Sequence, residues 1–534
     1  MTDPVTRPAS RPATPGRRQV INQVLALPVL AALSGAARSG SADTGSKDPF
    51  TLGVASGYPH SDGMVLWTRL APIPDAPGGG MPGSPVQVTY AVATDPSMST
   101  LVVQGKSWAS ADWAHSVHVE VRGLEPDRWY WYQFSVAGWV SPIGRTRTTP
   151  LASAPSAEQQ LRMAVVCCQN FELGYFTAYQ QVLADQPDLV VHVGDYIYEG
   201  SGDKSAVRTI AEPVPVTLDD YRCRHARYKQ DVDLQQAHAC CPWLLTWDDH
   251  EVENDYAADR SQGADPREWF LMRRAAAYKA YYEHMPLPRR MVPLGPHMRL
   301  HTEFWYGGLA RFFMLDTRQY RSPEACAWPA RKHRHGLDPT ACEALFDPAH
   351  SMLGQRQRDW LLSRLPADPV IPWTILGQQT LFQPASIQIR GEPRIFTDGW
   401  DGFPGERQTL LAALANARVR NPVVFSGDVH AFYANNLKAD DAEPGSAFVA
   451  TEFACGAITS PVPSDRFVRR VQSEHDAVVF THTDRRGYLR VNLSIQDMSV
   501  EMVGMSSVRS PAATADVIAA FKVLNGSTEL VRTA

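Results

Sequence analysis

Leu161-Arg162-Met163-Ala164-Val165-Val166 and Leu189-Val190-Val191-His192-Val193 are short apolar runs on either side of Phe176-Thr177-Ala178-Tyr179-Gln180-Gln181-Val182-Leu183, whose apolar positions recur at helical spacing. Strand, helix and strand in that order predict a parallel βαβ unit and hence a layered α/β domain. A third run, Trp243-Leu244-Leu245-Thr246, leads straight into Trp247-Asp248-Asp249-His250-Glu251. A buried strand therefore ends in a loop that carries two carboxylates and an imidazole. Further strands are expected at 311–315, 373–376 and 423–425, and a long helix at 267–284 is stopped by Pro286.

Open α/β sheets gather their ligands at the carboxyl ends of the strands. Here those ends read Cys168; Asp195 with Tyr198; Asp249 with His250; Gln378-Gln379; and Asp428 with His430. Singly, each has a plain explanation: Cys168 as a small buried hydrophobe, Gly194-Asp195 as a turn, Tyr198 as packing. Asp428 and His430 leave one face of an extended segment, which suits a shared ligand. Together the five ends predict a metal centre.

Composition bounds the rest. The 534 residues are 44% hydrophobic and 20% charged, an ordinary globular balance with room for two domains. The net charge of −5, with no dense Lys/Arg tract, predicts no nucleic-acid-binding module, although a small phosphate ester could use a local cationic pocket. Eight cysteines without a Cys-x-x-Cys spacing speak against a disulfide scaffold or a zinc ribbon; an oxidising compartment could still bridge Cys326 and Cys342.

Before the α/β segment, 48–150 reads as a β-sandwich of fibronectin or immunoglobulin type, with strands at 64–69, 86–92 and 117–121 and alternating aromatics in Trp129-Tyr130-Trp131-Tyr132. His115 and His118 are expected on its surface or in its core. A Pro-, Ala- and Ser-rich linker, 148–159, separates it from a catalytic domain at 160–510 that closes with a hairpin at 488–493 and 498–502; 511–534 is expected as a tail or helix. At the other end, Arg17-Arg18 precede an apolar stretch from Val24 to Leu33 and then small residues. That is the order of a twin-arginine export signal over 1–42, implying transient contact with the twin-arginine translocation machinery and a periplasmic or secreted location. The stretch is too short for a stable membrane anchor.

Gly194-Asp195-x-x-Tyr198-Glu199, Trp247-Asp248-Asp249-His250-Glu251 and Ser426-Gly427-Asp428-Val429-His430 resemble the alkaline phosphatase D (PhoD) family, a branch of the calcineurin-like metallophosphatases related to purple acid phosphatases. The likeness extends to Tyr281-Tyr282-Glu283-His284-Met285-Pro286, Leu315-Asp316-Thr317-Arg318 and Trp400-Asp401-Gly402-Phe403-Pro404. The resemblance implies a β-sandwich followed by a four-layer αββα domain, export by the twin-arginine route, and phosphoester hydrolysis by metal-bound hydroxide with iron and calcium.

The departures from the general metallophosphatase pattern rationalise those metals. Cys168 stands where a carboxylate is usual, and Tyr198 joins Asp195 and His430; anionic sulfur and phenolate donors favour Fe3+. At the second position Asp249, Gln379 (or its neighbour Gln378) and Asp428, with Asp195 bridging, form an oxygen set that favours Ca2+. Asn254 is either a ligand or a phosphate contact. His250 is expected off the metal, binding phosphate and acting as general acid. Arg318 is expected as a phosphate clamp, or else as a surface salt bridge. The reading is a secreted phosphomonoesterase with phosphodiesterase activity. A phospholipase D-like specificity is the alternative within the family, and a non-catalytic cell-surface binding protein the alternative outside it.

Overall fold

Apolar runs buried on both faces build two sheets whose parallel cores carry the site, as such runs do when helices cover them. The computed structural model describes residues 47–534 apart from 154, 327–335, 367–369, 417–418, 442 and 444. The expected export segment lies outside the described residues. In the larger sheet, Leu161–Val166, Leu189–Val193 and Pro242–Thr246 run parallel in that order. In the smaller, Ala310–Met314, Trp373–Gly377, Pro422–Ser426 and Phe448–Ala454 do the same.

Alternate residues of these strands face opposite ways, and that divides the core. Phe312, Ile375, Val423 and Phe425 of the smaller sheet share one apolar core with Val165, Val191 and Leu245 of the larger. Between them in sequence, Phe313, Leu376 and Val424 point to the other face, under Leu361, Leu410 and Leu411 of the helices Gly354–Arg364 and Pro404–Leu414. The helices Ala178–Ala184, Leu218–Lys229, Val232–Cys240 and Arg267–His284 place Tyr179, Tyr228, Leu234 and Tyr278 in the larger core. Each such aromatic or leucine contributes about 1.5–3 kcal/mol by leaving water. Local chemistry starts the helices: Thr217 and Asp220 form a reciprocal capping box, and Asp231 accepts from the amides of Asp233 and Leu234. No helix among the described residues is long and apolar enough to cross a membrane.

Two expectations are corrected. Residues 48–150 are not a self-contained sandwich: Val54–His60, Gly63–Arg69 and Ser116–Val121 extend the larger sheet beyond Pro242–Thr246, while Val86–Ala93, Leu101–Ala109, Trp129–Val136, Trp139–Val140 and Gly144–Arg147 form a separate one. The junction is the parallel pairing of Ser56 and Gly57 with Pro242 and Trp243. Gly57 permits it, because a Cβ there would lie 2.7 Å from Pro286 O and 2.8 Å from Trp243 O. Pro242, lacking an N–H, is tolerated as the first residue of its strand. The second correction is at the C-terminus. Ala515–Leu524 and Leu530–Arg532 are strands, not tail or helix, and complete the far edge of the larger sheet. Their signal is the period-two burial of Ala519, Phe521 and Val523.

The expected hairpin is present as Gly487–Leu493 and Asp497–Met505. His118 is half-buried, stacked on Tyr282 at 4.4 Å with Nδ1 3.1 Å from Leu287 O. Cys326 and Cys342 form a disulfide, with Cα atoms 6.0 Å apart.

Candidate metal centre

The side chains of interest leave the sheets at one recurrent place. Cys168, Asp195, Asp248, Gln379 and Asp428 each stand two residues beyond the last residue of a parallel strand. There the chain turns sharply: Cys168, Asp195, Asp428 and His430 all have φ between 53° and 60°. Left-handed backbone is uncommon outside glycine and is sustained only where surrounding structure holds it, as at functional sites. Two glycines allow the loops to close. A Cβ on Gly194, at φ +115°, would lie 2.7 Å from Asp248 Cβ, and one on Gly427 would meet Cys167 Sγ at 3.1 Å.

Asp195 is the common member. It is fully buried and shares reach of a single point with Cys168 and His430, with Asp249 and His250, and with Asp248 and Asp428, the ligand atoms of each trio lying within 4.8 Å of one another. Its Oδ2 accepts from Tyr198 Oη at 2.7 Å, and Tyr198 Oη also lies 3.1 Å from His430 Nε2. The four residues expected around the first ion, Cys168, Asp195, Tyr198 and His430, are therefore together.

Among the described residues three buried carboxylate oxygens here accept no hydrogen bond: Asp195 Oδ1, Asp248 Oδ2 and Asp249 Oδ1, the last with only the Arg318 guanidinium at 3.6 Å. Orphaned anionic oxygens at this depth are costly unless a cation meets them, so the residues fit a metal. Titration agrees. Burial, assisted by other carboxylates, holds Asp428 up at about 7 and Asp248 and Asp249 above the ordinary range. Burial and the nearby Asp195 and Cys168 push the Tyr198 phenol well up; burial and Cys167 do the same to the Cys168 thiol. A cation reverses that preference, because coordination deprotonates thiols and phenols. Asp195 itself is held at about 2: His250, His430 and Tyr198 outweigh the cost of its burial.

Around the second position the contacts add to the expectation. Gln379 lies at its strand end with its amide engaged by protein groups: its Oε1 accepts from Thr317 N at 3.1 Å and Oγ1 at 2.8 Å, and its Nε2 donates to Thr246 Oγ1 and Leu315 O. The amide is saturated by the two strand ends beside it. Gln378 is likewise engaged, by Trp400 Nε1 and Ser426 Oγ. Asp248, given no role from sequence, stands in the trio with Asp195 and Asp428. Arg318 is neither a phosphate clamp nor a surface ion pair. Wholly buried, it donates Nε to Asp248 and Nη1 and Nη2 to Asp398 at 2.7 and 2.8 Å, with Asp249 at 3.6 Å. It therefore ties the loop carrying Asp248 and Asp249 to Asp398. Asn254 is engaged through its backbone, whose amide donates to Glu199 Oε1 at 2.8 Å.

His250 leans on the Tyr198 ring at 4.1 Å and bonds Glu199 Oε2 through Nδ1 at 2.7 Å. Burial disfavours its charge, but Glu199, Asp249 and Asp195 overcome this and raise its pKa well above the ordinary histidine value. Glu251 cross-links the loops, accepting from Tyr196 N at 2.5 Å and Asp248 N at 2.8 Å. Glu199 and Glu251 are members of the sequence motifs. Their roles depend on contacts across loops that spacing does not reveal.

A buried carboxylate cluster at the carboxyl ends of the parallel strands of two sheets, centred on one shared aspartate, is the layout of a metallophosphatase. The comparisons agree: the PhoD-like phosphatase family matches residues 163–502 and its N-terminal domain matches 35–150. The chain is 40% identical over 482 residues to alkaline phosphatase D of Bacillus subtilis strain 168, spanning 89% of this chain and 80% of that protein. It is similar to a solved PhoD structure at TM-score 0.86 and 39% identity, covering 92% of this chain and 93% of that one. A purple acid phosphatase from yellow lupin seeds shares the fold at TM-score 0.50 and 11% identity, over 84% of this chain and 70% of that one. The chain belongs to the PhoD-like phosphatase family and is a phosphoester hydrolase.

Proposed function

We propose that this chain is an exported, metal-dependent phosphatase that hydrolyses phosphomonoesters and, as a second activity, phosphodiesters. Cys168, Asp195, Tyr198 and His430 would hold Fe3+, since soft and phenolic anions suit a high oxidation state. Asp195, Asp248, Asp249 and Asp428 would hold Ca2+, a hard cation that takes carboxylate oxygens. When bound, such a pair supplies an acidified water and neutralises charge on phosphoryl oxygens. Asp195 joins the two positions.

The chain's own groups do the rest. His250, protonated and held by Glu199 on Nδ1, presents its other nitrogen to the pocket and gives a proton to the leaving oxygen, a contribution of about 10²–10⁴-fold. The Tyr198 ring beneath it restricts tilt. Arg318 would hold Asp248 through Oδ1, leaving Oδ2 for a cation, while the amide of Asp255 holds Asp249 through Oδ2 at 2.6 Å. Asn254, at the rim, is left as a substrate contact.

Around this site we read a four-layer αββα arrangement, in keeping with the two-sheet core, and an immunoglobulin-like sandwich at 48–150 that has one face merged into the larger sheet. Tyr130 supports the sandwich: its hydroxyl accepts from Glu125 N at 2.9 Å, the corner typical of such domains. Arg17-Arg18 and the apolar stretch after them support twin-arginine export to the periplasm or beyond.

The observation that carries the metal reading is the triple convergence on Asp195 with three orphaned carboxylate oxygens. The test is elemental analysis of natively exported protein, with turnover of p-nitrophenyl phosphate, bis-p-nitrophenyl phosphate and phosphatidylcholine before and after chelation. Iron and calcium with chelator-sensitive release of p-nitrophenol from the first two are expected. Zinc alone, or turnover indifferent to chelator, would refute the metal assignment, and phosphatidylcholine as the preferred substrate would favour a phospholipase D-like specificity.

A further inference from the structure

Six of the eight cysteines carry free thiols, and their surroundings differ. Cys167, Cys168 and Cys455 are wholly buried, and Cys168 belongs to the metal centre. Cys223 is half-buried and points to Asp75 O at 3.6 Å. Cys240 and Cys241 face each other instead. Their sulfurs stand 3.5 Å apart, the first on a half-buried side chain and the second on a fully buried one.

The local fold holds them so. Cys240 is the last residue of the helix Val232–Cys240, while Cys241, at φ −166° and ψ 168°, is already extended ahead of the strand Pro242–Thr246. Adjacent side chains in a regular strand leave opposite faces; the change from helix to strand at this joint brings the two thiols together instead. The Cys240 thiol also donates to Ala237 O at 3.1 Å, a carbonyl that accepts from Trp243 Nε1 at 3.0 Å. Burial, with Cys240 beside it, pushes the Cys241 thiol well above the usual range, so the thiolate that meets an oxidant from solvent is that of Cys240.

We propose that Cys240 and Cys241 form a reversible two-electron redox site, which closes to a disulfide between adjacent residues when the protein meets hydrogen peroxide. In the first step the Cys240 thiolate attacks one peroxide oxygen, the O–O bond breaks, Cys240 becomes a sulfenic acid, and hydroxide leaves and takes a proton from solvent. In the second step the Cys241 sulfur attacks the Cys240 sulfur, the S–S bond forms, and the sulfenic oxygen departs as water with the Cys241 proton. Two thiols and one peroxide thus become one disulfide and two waters. Consecutive Cα atoms stand about 3.8 Å apart, short of the roughly 4.4–6.8 Å across ordinary disulfides, so the bond is strained and easily reduced. That makes it a switch rather than a staple. It sits at the joint that feeds the strand ending beside Asp248 and Asp249.

The test treats the folded protein with hydrogen peroxide, unfolds it in an alkylating reagent, and reads intact mass and a peptide map. Two of the six free thiols should be lost to alkylation, the peptide spanning residues 240 and 241 should be lighter by two hydrogens, and reduced glutathione should restore both thiols. Cys240→Ser and Cys241→Ser should each abolish the loss of hydrogens, and Cys223→Ser should leave it intact. In Cys241→Ser the sulfenic acid, no longer consumed, should be trapped by dimedone on Cys240. Both thiols still alkylatable after peroxide, oxygen retained on Cys240 of the wild type, a bond from either residue to another cysteine, or a bond that glutathione does not reopen would each overturn the proposal. The readout is mass, so it stands apart from metal loading and turnover.

Discussion

Replacing Glu199 by Gln isolates the electrostatic support of His250. The amide keeps the volume and still accepts from Asn254 N, so the loop geometry is retained while the carboxylate charge beside Nδ1 is lost. That charge lies in a 2.7 Å contact between side chains that are only 19% and 10% exposed. Two unit charges about 4 Å apart at an effective dielectric near 20 attract by roughly 4 kcal/mol, an upper bound. Bonds to charged groups are worth about 1.5–3 kcal/mol and neutral ones about 0.5–1.5, so the loss is roughly 1–2 kcal/mol. The His250 pKa should then fall by about one unit, since each unit corresponds to 1.36 kcal/mol. A raised histidine pKa sustains protonation up to the folded value, so the alkaline limb of kcat should move down in pH by the same amount.

The leaving group sharpens the assay. p-Nitrophenolate departs without a proton near neutrality, whereas an alkoxide needs one. Glu199→Gln should therefore lower kcat on glycerol 2-phosphate by about 10-fold or more at alkaline pH while changing kcat on p-nitrophenyl phosphate far less. Metal content by elemental analysis should stay at the wild-type level. Equal losses on both substrates, or metal lost in step with activity, would refute the argument and make His250 a ligand steadied by Glu199.

Other substitutions test the remaining assignments. Tyr198→Phe should abolish the visible charge-transfer absorption of iron-loaded protein while leaving most of the bound iron; an unchanged spectrum would mean that no ferric phenolate forms. Arg318→Met should destabilise by about 3–5 kcal/mol, as breaking a buried ion pair does, and a thermal midpoint within error of wild type would contradict its role among Asp248, Asp249 and Asp398. Gln379→Ala should lower stability by about 1–3 kcal/mol through its abandoned threonine partners without changing calcium content, whereas calcium loss would restore it as a ligand. Metal-free protein should become less stable as pH rises from about 6 to 8. Burial and carboxylate neighbours hold Asp428 at about 7 and Glu251 at about 8, so the folded state keeps protons that the unfolded chain has released. Cys168 and Asp195, against the effect of burial, hold His430 at about 10, and above the ordinary histidine value this acts with the same sign. The calorimetric midpoint should drop by roughly 2 °C or more over that interval and be steadied by metal; a rising midpoint would show the sign to be wrong.

Much of the site was legible because a buried parallel strand is a run of apolar residues with a polar stop, and the stop is where ligands belong. Leu161–Val166, Leu189–Val193 and the helix Arg267–His284 have the expected ends. What escaped is long-range. Val54–His60 could have belonged to a separate sandwich on its own residues; its pairing with Pro242–Thr246 depends on Gly57 opposite a backbone far along the chain. Gln378 and Gln379 are adjacent amides whose partners lie on neighbouring strands, so neither could be assigned or dismissed from spacing.

The carboxylate pair at 248 and 249 shows the limit most directly. Consecutive aspartates in a loop are chemically equivalent in sequence, and the choice of Asp249 for the second ion followed family likeness alone. In the fold, Arg318, 70 positions away, takes one oxygen of Asp248 and is itself held by Asp398, 80 positions further on. The other oxygen of Asp248 is left without a hydrogen bond among the described residues, in a side chain that stands within reach of Asp195 and Asp428. An arginine that looked like a substrate clamp thus selects which carboxylate oxygen remains for a cation, and that selection exists only once the two sheets are packed together.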